Sequence, residues 1–265
     1  MVKKILFLCM TLMILLMPKG PVEAAGITAY EKFISPAYWT KHNADGDKVV
    51  LNAAGVEAFN KKIIAASPTV YDMAAYPKTL SGKTVTAYVN THTDLSDELY
   101  REGKLVSDNY KNILRSQTNA AAIPAEVTVR YGVTVRRANL RNLPTGEGLF
   151  FYASDRNFDA LQETALDPGE AVAILHTSTN GYFYYVQAYN YRGWLSKFDV
   201  AETDRSTWLR YAEPKNFLTV VAKDYTLKAD GAQVLFQQGA RLQLADKKAS
   251  AYTVKVPVRT KEGKL

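Results

Sequence analysis

Cysteine and histidine, the side chains best suited to nucleophilic and metal chemistry, are scarce in this chain. One cysteine, Cys9, and three histidines, His42, His92 and His176, are spread over 265 residues. The histidines show no metal-ligand spacing such as H-E-x-x-H, so each reads as a turn or half-buried residue, and neither a metal nor a cofactor is expected. Asp45-Gly46-Asp47 has the start of a calcium loop. Ala53, Ala54 and Gly55 follow where further acidic ligands are needed, which excludes that reading. Asp94, Asp97 and Glu98, and separately Asp155 and Asp159, could serve as general acid and base. Nothing in their spacing fixes separation or burial, so solvated carboxylates are the default. Arg130, Arg136, Arg137 and Arg141 form a basic run. In a strand, Arg136 and Arg137 would lie on opposite faces. Such a run could meet an anionic wall polymer or another domain's carboxylates, or form inter-domain salt bridges. Tyr189, Tyr191 and Trp194 cluster near one strand end. Trp194 reads as core, and Tyr191, just before Arg192-Gly193, as a loop residue.

Cys9 lies inside a secretion pattern. Lys3 and Lys4 precede an apolar run over 5–17, and Val22-Glu23-Ala24 offers small residues at the cleavage positions. The run is short for a membrane span. Leu8 before Cys9 is wrong for a lipoprotein anchor. Cleavage after Ala24 would leave 241 residues without a cysteine, and so without a disulfide, a thiolate site or a cysteine nucleophile. It would remove three lysines and one glutamate, lowering the formal charge from +7 to +5. That modest excess suits an anionic cell wall or membrane surface and is too small to indicate nucleic acid. Export without cysteines points to a bacterial periplasm or cell wall.

Three zones must position these residues. In the first, 25–124, Val56, Phe59, Ile63 and Ile64 fall at helical spacing. Residues 83–90 (KTVTAYVN) alternate like a strand. Leu95, Leu99, Tyr100, Tyr110, Ile113 and Leu114 suggest a helical stretch interrupted near Gly103. No self-sufficient core is evident there, which fits a cap packed on other domains. The second zone, 125–200, is strand-rich, with strands expected at 126–131, 171–176 and 182–189 and a hairpin turn at Thr179-Asn180-Gly181. Both faces of YFYYVQAY are apolar or aromatic, as in a small closed barrel with an outer groove. The third zone, 201–258, holds short strands near 217–222, 225–228, 233–236, 241–244 and 250–256, with turns at Asp230-Gly231 and Gln238-Gly239. The expected fold is mainly β, two small barrels in tandem behind a mixed, helical N-terminal region.

The runs VTVRRANLRNLPT (133–145), DRNFDALQETALDPGEAVAILHTS (155–178) and YYVQAYNYRGWL (184–195) resemble the first bacterial SH3 domain of NlpC-family cell-wall cysteine peptidases. WLRYAEPKNFLTVVAKDYTL and QQGARLQL resemble their second SH3-type domain. YWTK (38–41) and VEAFNKK (56–62) resemble their N-terminal stabilising clip. The resemblance implies a clip over 25–124, SH3-type domains over 125–200 and 201–258, and a linker over 259–265 leading towards a catalytic domain that the sequence lacks. In the family, that domain uses a cysteine, a histidine and a third polar residue to cleave the γ-D-glutamyl–diamino acid amide of peptidoglycan stem peptides. The resemblance also implies substrate-binding roles for Glu163 and Tyr191. Matching positions in related peptidases hold the free amine of the stem peptide's N-terminal L-alanine; a carboxylate pairs with the ammonium and a phenol accepts one of its protons. The alternative for both is a solvated Glu and a surface Tyr.

The expectation is therefore a secreted, non-catalytic portion of such a peptidase, with peptidoglycan stem peptides or anionic wall as partners and possibly a separate catalytic domain. The enzymatic alternative is a truncated or frameshifted product of a full γ-D-glutamyl-diamino acid endopeptidase.

Overall fold

A computed structural model describes residues 30–265 other than 92, 230 and 231. The expected signal peptide, Cys9, His92 and the Asp230-Gly231 turn lie outside the described residues. The described residues fall into two units, divided between Ala58 and Phe59. The first carries helix α1 (Pro36–His42) and the start of α2 (Ala53–Ala66). Asp45-Gly46-Asp47 makes a turn after α1, with the Gly46 and Lys48 amides bonded to the Asn43 and Asp45 carbonyls.

In the second unit, β1 (Thr79–Ser81) pairs with β4 (Glu126–Thr128), and the unit is built on an antiparallel seven-stranded sheet whose strands lie in the order 200–203, 130–134, 171–177, 183–187, 192–196, 138–141 and 162–166. These strands are β5 (Arg130–Thr134), β6 (Ala138–Arg141), β7 (Gln162–Leu166), β8 (Ala171–Thr177), β9 (Phe183–Gln187), β10 (Arg192–Ser196) and β11 (Val200–Thr203). Both faces of its centre are buried. Along β8, Ala171, Ala173 and Leu175 enter one core while Val172 and Ile174 enter the other, as the two-residue strand period requires. One core gathers Leu140, Val186 and Leu195 with Val172 and Ile174. The opposite face, which carries Tyr185 and Trp194, is covered by Met73, Tyr76, Val85, Val89 and Trp208. The apolar second face of YFYYVQAY is thus explained by covering helices rather than by an outer groove. No closed barrel occurs among the described residues, since β7 and β11 remain as edges. The outer edge of β11 carries a parallel bridge between Glu202 and Lys264.

Three expectations change. Residues 83–90 belong to helix α3 (Gly82–Asn90), not a strand. Ser81 caps it through the Thr84 amide at 3.1 Å, and Val85 and Val89, four apart, are both fully buried. Burial of that pair outweighs the strand preference of Thr84, Val85 and Thr86. The stretch before Gly103 is not helical. A two-residue hairpin joins β2 (Tyr100–Arg101) to β3 (Lys104–Leu105), with Glu102 and Gly103 at φ 52° and 81°; paired positive φ values are those of a tight hairpin turn. Helix α4 (Asp108–Ser116) follows. Finally, the third zone begins with helix α5 (Arg205–Ala212), capped by Asp204, which accepts from the Thr207 amide at 2.9 Å.

Beyond α5 the strands form two separate sheets. One is three-stranded, from β12 (Phe217–Thr219), β15 (Arg241–Lys247) and β16 (Tyr252–Lys255). The other is the hairpin of β13 (Asp224–Ala229) and β14 (Ala232–Gln237). They share a small core of Val220, Phe236, Ala240 and Leu242.

Candidate functional site

The turn between β9 and β10 carries the residues that matter most. Its backbone is closed by the Ala188 amide bonding to the Tyr191 carbonyl at 2.8 Å. Gln187, almost completely buried, stitches the turn from inside: its Nε2 donates to the carbonyls of Ala188 (2.7 Å) and Tyr191 (3.1 Å). Its Oε1 accepts from Arg192 Nε at 2.6 Å. Gly193 is required next to it. A Cβ there would lie 2.6 Å from the Arg141 carbonyl of neighbouring β6, closer than van der Waals contact allows.

Arg192 is held on two further sides. Nη2 donates to the Tyr71 hydroxyl at 2.9 Å, and the guanidinium stacks over the Tyr88 ring, 3.3 Å from its centroid. Tyr71 and Tyr88 come from the segment before the sheet. Each is tied to the sheet independently: the Tyr71 amide donates to the Tyr189 carbonyl, and the Tyr185 hydroxyl donates to the Tyr88 carbonyl, both at 2.7 Å. Burial raises the Tyr88 phenol above its ordinary pKa, partly opposed by Arg192, so the ring oxygen stays protonated at neutral pH.

Around this framework opens a pocket of about 560 Å³, whose walls include Glu163, Tyr191, Arg192, Tyr88, Tyr185 and Gln187. Its size lies in the range of small-ligand sites. Glu163, on β7, is exposed and has no hydrogen-bond or ion-pair partner among the described residues. Tyr191 is 39% exposed on the turn. The structure therefore brings the two residues named from the sequence to one pocket. Its aromatic and cationic floor, Tyr88 and Arg192, and the Tyr71 hydroxyl that holds Arg192 were not singled out there. Gln187 and Arg192 lie in the run 184–195. Tyr71 and Arg192 are 121 positions apart, and Tyr88 sits in the segment read as a strand.

Other candidates disperse. Trp194 is fully buried against Tyr185, with ring centroids 5.2 Å apart. Tyr189 lines a neighbouring pocket of about 620 Å³ with Met73, Glu170 and Arg241. There, burial raises the Glu170 carboxyl above its usual range, against the pull of Arg241. The basic run is consumed in ion pairs: Arg130–Glu202 at 2.9 Å, Arg136–Asp199 at 3.1 Å, Arg137–Asp167 at 3.2 Å and Arg141–Asp159 at 2.6 Å. Only the first crosses from the second zone into the third. Arg136 and Arg137 sit in the bend between β5 and β6, so the opposite-face expectation does not apply. Asp159 also accepts from the Leu149 and Leu161 amides, at 3.1 and 3.0 Å, which makes it a loop anchor. Asp155 caps the Asn157 and Phe158 amides, and Asp94 the Ser96 amide. His42 bonds the Tyr38 carbonyl through Nδ1, and His176 bonds the Asn119 carbonyl through Nε2. Among the described residues no cluster of His, Cys, Asp or Glu could hold a metal ion, and no helix is long and apolar enough to cross a membrane.

Residues 149–196 match the SH3 domain (SH3b1 type) family model, a stretch that contains Glu163, Tyr191 and Arg192. No curated protein matches the sequence. A solved structure described as a novel NlpC/P60 endopeptidase from Photobacterium damselae subsp. piscicida is similar in fold, with a TM-score of 0.63 at 19% identity. The likeness covers 82% of this chain and 51% of that one, so the chain spans about half the length of that structure.

Proposed function

We propose that this protein is a secreted, non-catalytic module of an NlpC-type peptidoglycan peptidase, and that it binds stem peptides in the pocket beside the β9–β10 turn. In this reading, residues 25–124 are the stabilising clip, and 125–200 and 201–258 are successive SH3-type units in the periplasm or cell wall. One observation carries it: Glu163 and Tyr191 line the same open pocket, inside the stretch that matches the SH3b1-type domain. An unpaired carboxylate beside a half-exposed phenol is suited to a ligand ammonium, which needs acceptors on more than one side. The module holds the L-alanine amine and leaves cleavage to a catalytic domain.

Binding of L-alanyl-γ-D-glutamate to the full chain, measured by calorimetry, tests this. Acetylating the alanine amine, or replacing Glu163 by Gln, is expected to weaken binding by about tenfold, the scale of a lost charge-assisted hydrogen bond. Equal affinity for amine and acetylated ligand would sink the amine site. The fold similarity to an endopeptidase of which the match covers 51% supports a second reading, a shortened product of a complete γ-D-glutamyl-diamino acid endopeptidase. A reading frame continuing past codon 265 into a cysteine- and histidine-bearing segment would favour it. Release of peptide amines from peptidoglycan by the purified chain would refute the non-catalytic role.

A further inference from the structure

Arg192 is a guanidinium without a carboxylate. Each neighbouring arginine of the sheet that pairs does so with an acid, yet among the described residues no ion pair involves Arg192. It is nonetheless held on three sides. Nε is fixed on Gln187, itself buried, Nη2 is fixed on the Tyr71 hydroxyl, and the flat face is stacked on Tyr88. These partners are all neutral, so they position the charge and leave it uncompensated. Nη1 has no hydrogen-bond partner among the described residues, and Arg192 lines the pocket. Its positive charge reaches the phenols of Tyr76, Tyr88 and Tyr185, opposing in each the upward shift that burial causes. A fixed planar fork with an open nitrogen, in a partly desolvated pocket, fits one face of a carboxylate.

We propose that Arg192 is a specificity residue that binds an anionic group, a carboxylate, of the same ligand whose ammonium meets Glu163. The pocket then selects a short peptide carrying both charges. This rests on the stem-peptide reading, because a glutamyl residue linked through its γ-carboxyl keeps a free α-carboxylate close to the alanine it follows. The pocket's two charged walls would therefore distinguish a stem peptide with a free α-carboxylate from one in which that group is amidated.

The test uses the full chain and two probes without an amine: N-acetyl-L-alanyl-γ-D-glutamyl methylamide with a free α-carboxylate, and the same compound with an α-carboxamide. Glu163 has no ammonium to meet in either. Calorimetry should show the free acid binding about tenfold or more tighter than the carboxamide, as expected for a charge-assisted pair. Arg192 Nε–H, bonded to Gln187, gives a direct readout by ¹⁵N–¹H NMR. It should shift saturably with the acid and stay still with the carboxamide. Arg192→Lys, which keeps the charge and loses the fork, should lose most of the preference, while Glu163→Gln should retain it. Indistinguishable affinities, or no binding of either probe, together with an unmoved Arg192 resonance would overturn the proposal. L-Alaninamide, with an amine and no carboxylate, reports on the Glu163 site separately. If it binds the wild type and not Glu163→Gln while the acid and carboxamide remain equivalent, the Arg192 assignment alone falls.

Discussion

His176 lies half-buried at the end of β8, its Nε2 3.0 Å from the Asn119 carbonyl. Burial, more than any other cause, lowers its pKa below 6.5 in the folded chain. The sign of the linkage follows. Above pH 6.5 both states are neutral and the site adds nothing to the pH dependence. As pH falls below 6.5, the unfolded chain takes up the proton first and stability drops until the folded pKa is passed. Glu170 and Asp199, whose carboxyls are raised by burial, act in the opposite sense at lower pH. Comparison with a single-site variant cancels their contribution. His176→Gln, which can still donate to Asn119, is expected to flatten the fall in urea midpoint between pH 7 and 5; parallel curves for variant and parent would refute this. At this scale the sequence was most informative where a residue's partner is local. Tyr191 was placed on its turn by the Arg192-Gly193 that follows it, whereas Glu163, on β7, was paired with it only through the family resemblance. Arg141 could not be assigned to Asp159, because the loop that returns the acid to it has no periodic signal.

The helices are where propensity and tertiary context part company. Helix α5 docks through Trp208, with Leu209, Tyr211 and Ala212 packed against the same core. Trp208 is fully buried, its ring 4.9 Å from that of Tyr131, and its Nε1 donates to the Val172 carbonyl at 3.1 Å. Trp208→Ala is expected to lower stability by about 3–5 kcal/mol, the usual range for an emptied aromatic site. Trp208→Phe should lose less, and equilibrium denaturation of the full chain would measure both. A loss under about 1 kcal/mol for the alanine variant would contradict the packing described. The cap of this helix was legible as Asp204-x-x-Thr207, but the strand-like neighbourhood masked it. Helix α3 was harder to read. Val85 and Val89 fit a two-residue period through Ala87 and a four-residue period equally well, and only the buried face of the sheet decides between them. The strands of 171–177 and 183–187 were plain, because both of their faces are apolar and glycine marks the turn between them.

Across the whole unit, the segment 59–124 has no core of its own. Met73, Tyr76, Val85 and Val89 share one core with the sheet. Leu95, Leu99, Val106 and Leu114 share another with Leu143, Leu149 and Leu161. That the expected barrels stay open among the described residues was not legible, since strand count says nothing about which edges meet. The pocket's floor and rim come from opposite sides of this seam, joined at the Tyr71 amide and the Tyr189 carbonyl. That one backbone hydrogen bond is a natural stopwatch for the seam. Its deuterium exchange requires the Tyr71 segment to lift from the β9–β10 turn, and a ligand filling the pocket between Thr69, Tyr88 and that turn would oppose this. At about 100 times its dissociation constant, a stem-peptide ligand should slow exchange at the Tyr71 amide about 100-fold. Amides of the distant β15–β16 pair should keep their own time. Occupancy of the pocket would then be written in the lifetime of a segment that chemistry never touches, so a binding event on the SH3-type sheet becomes a mechanical clamp on the cap that covers it.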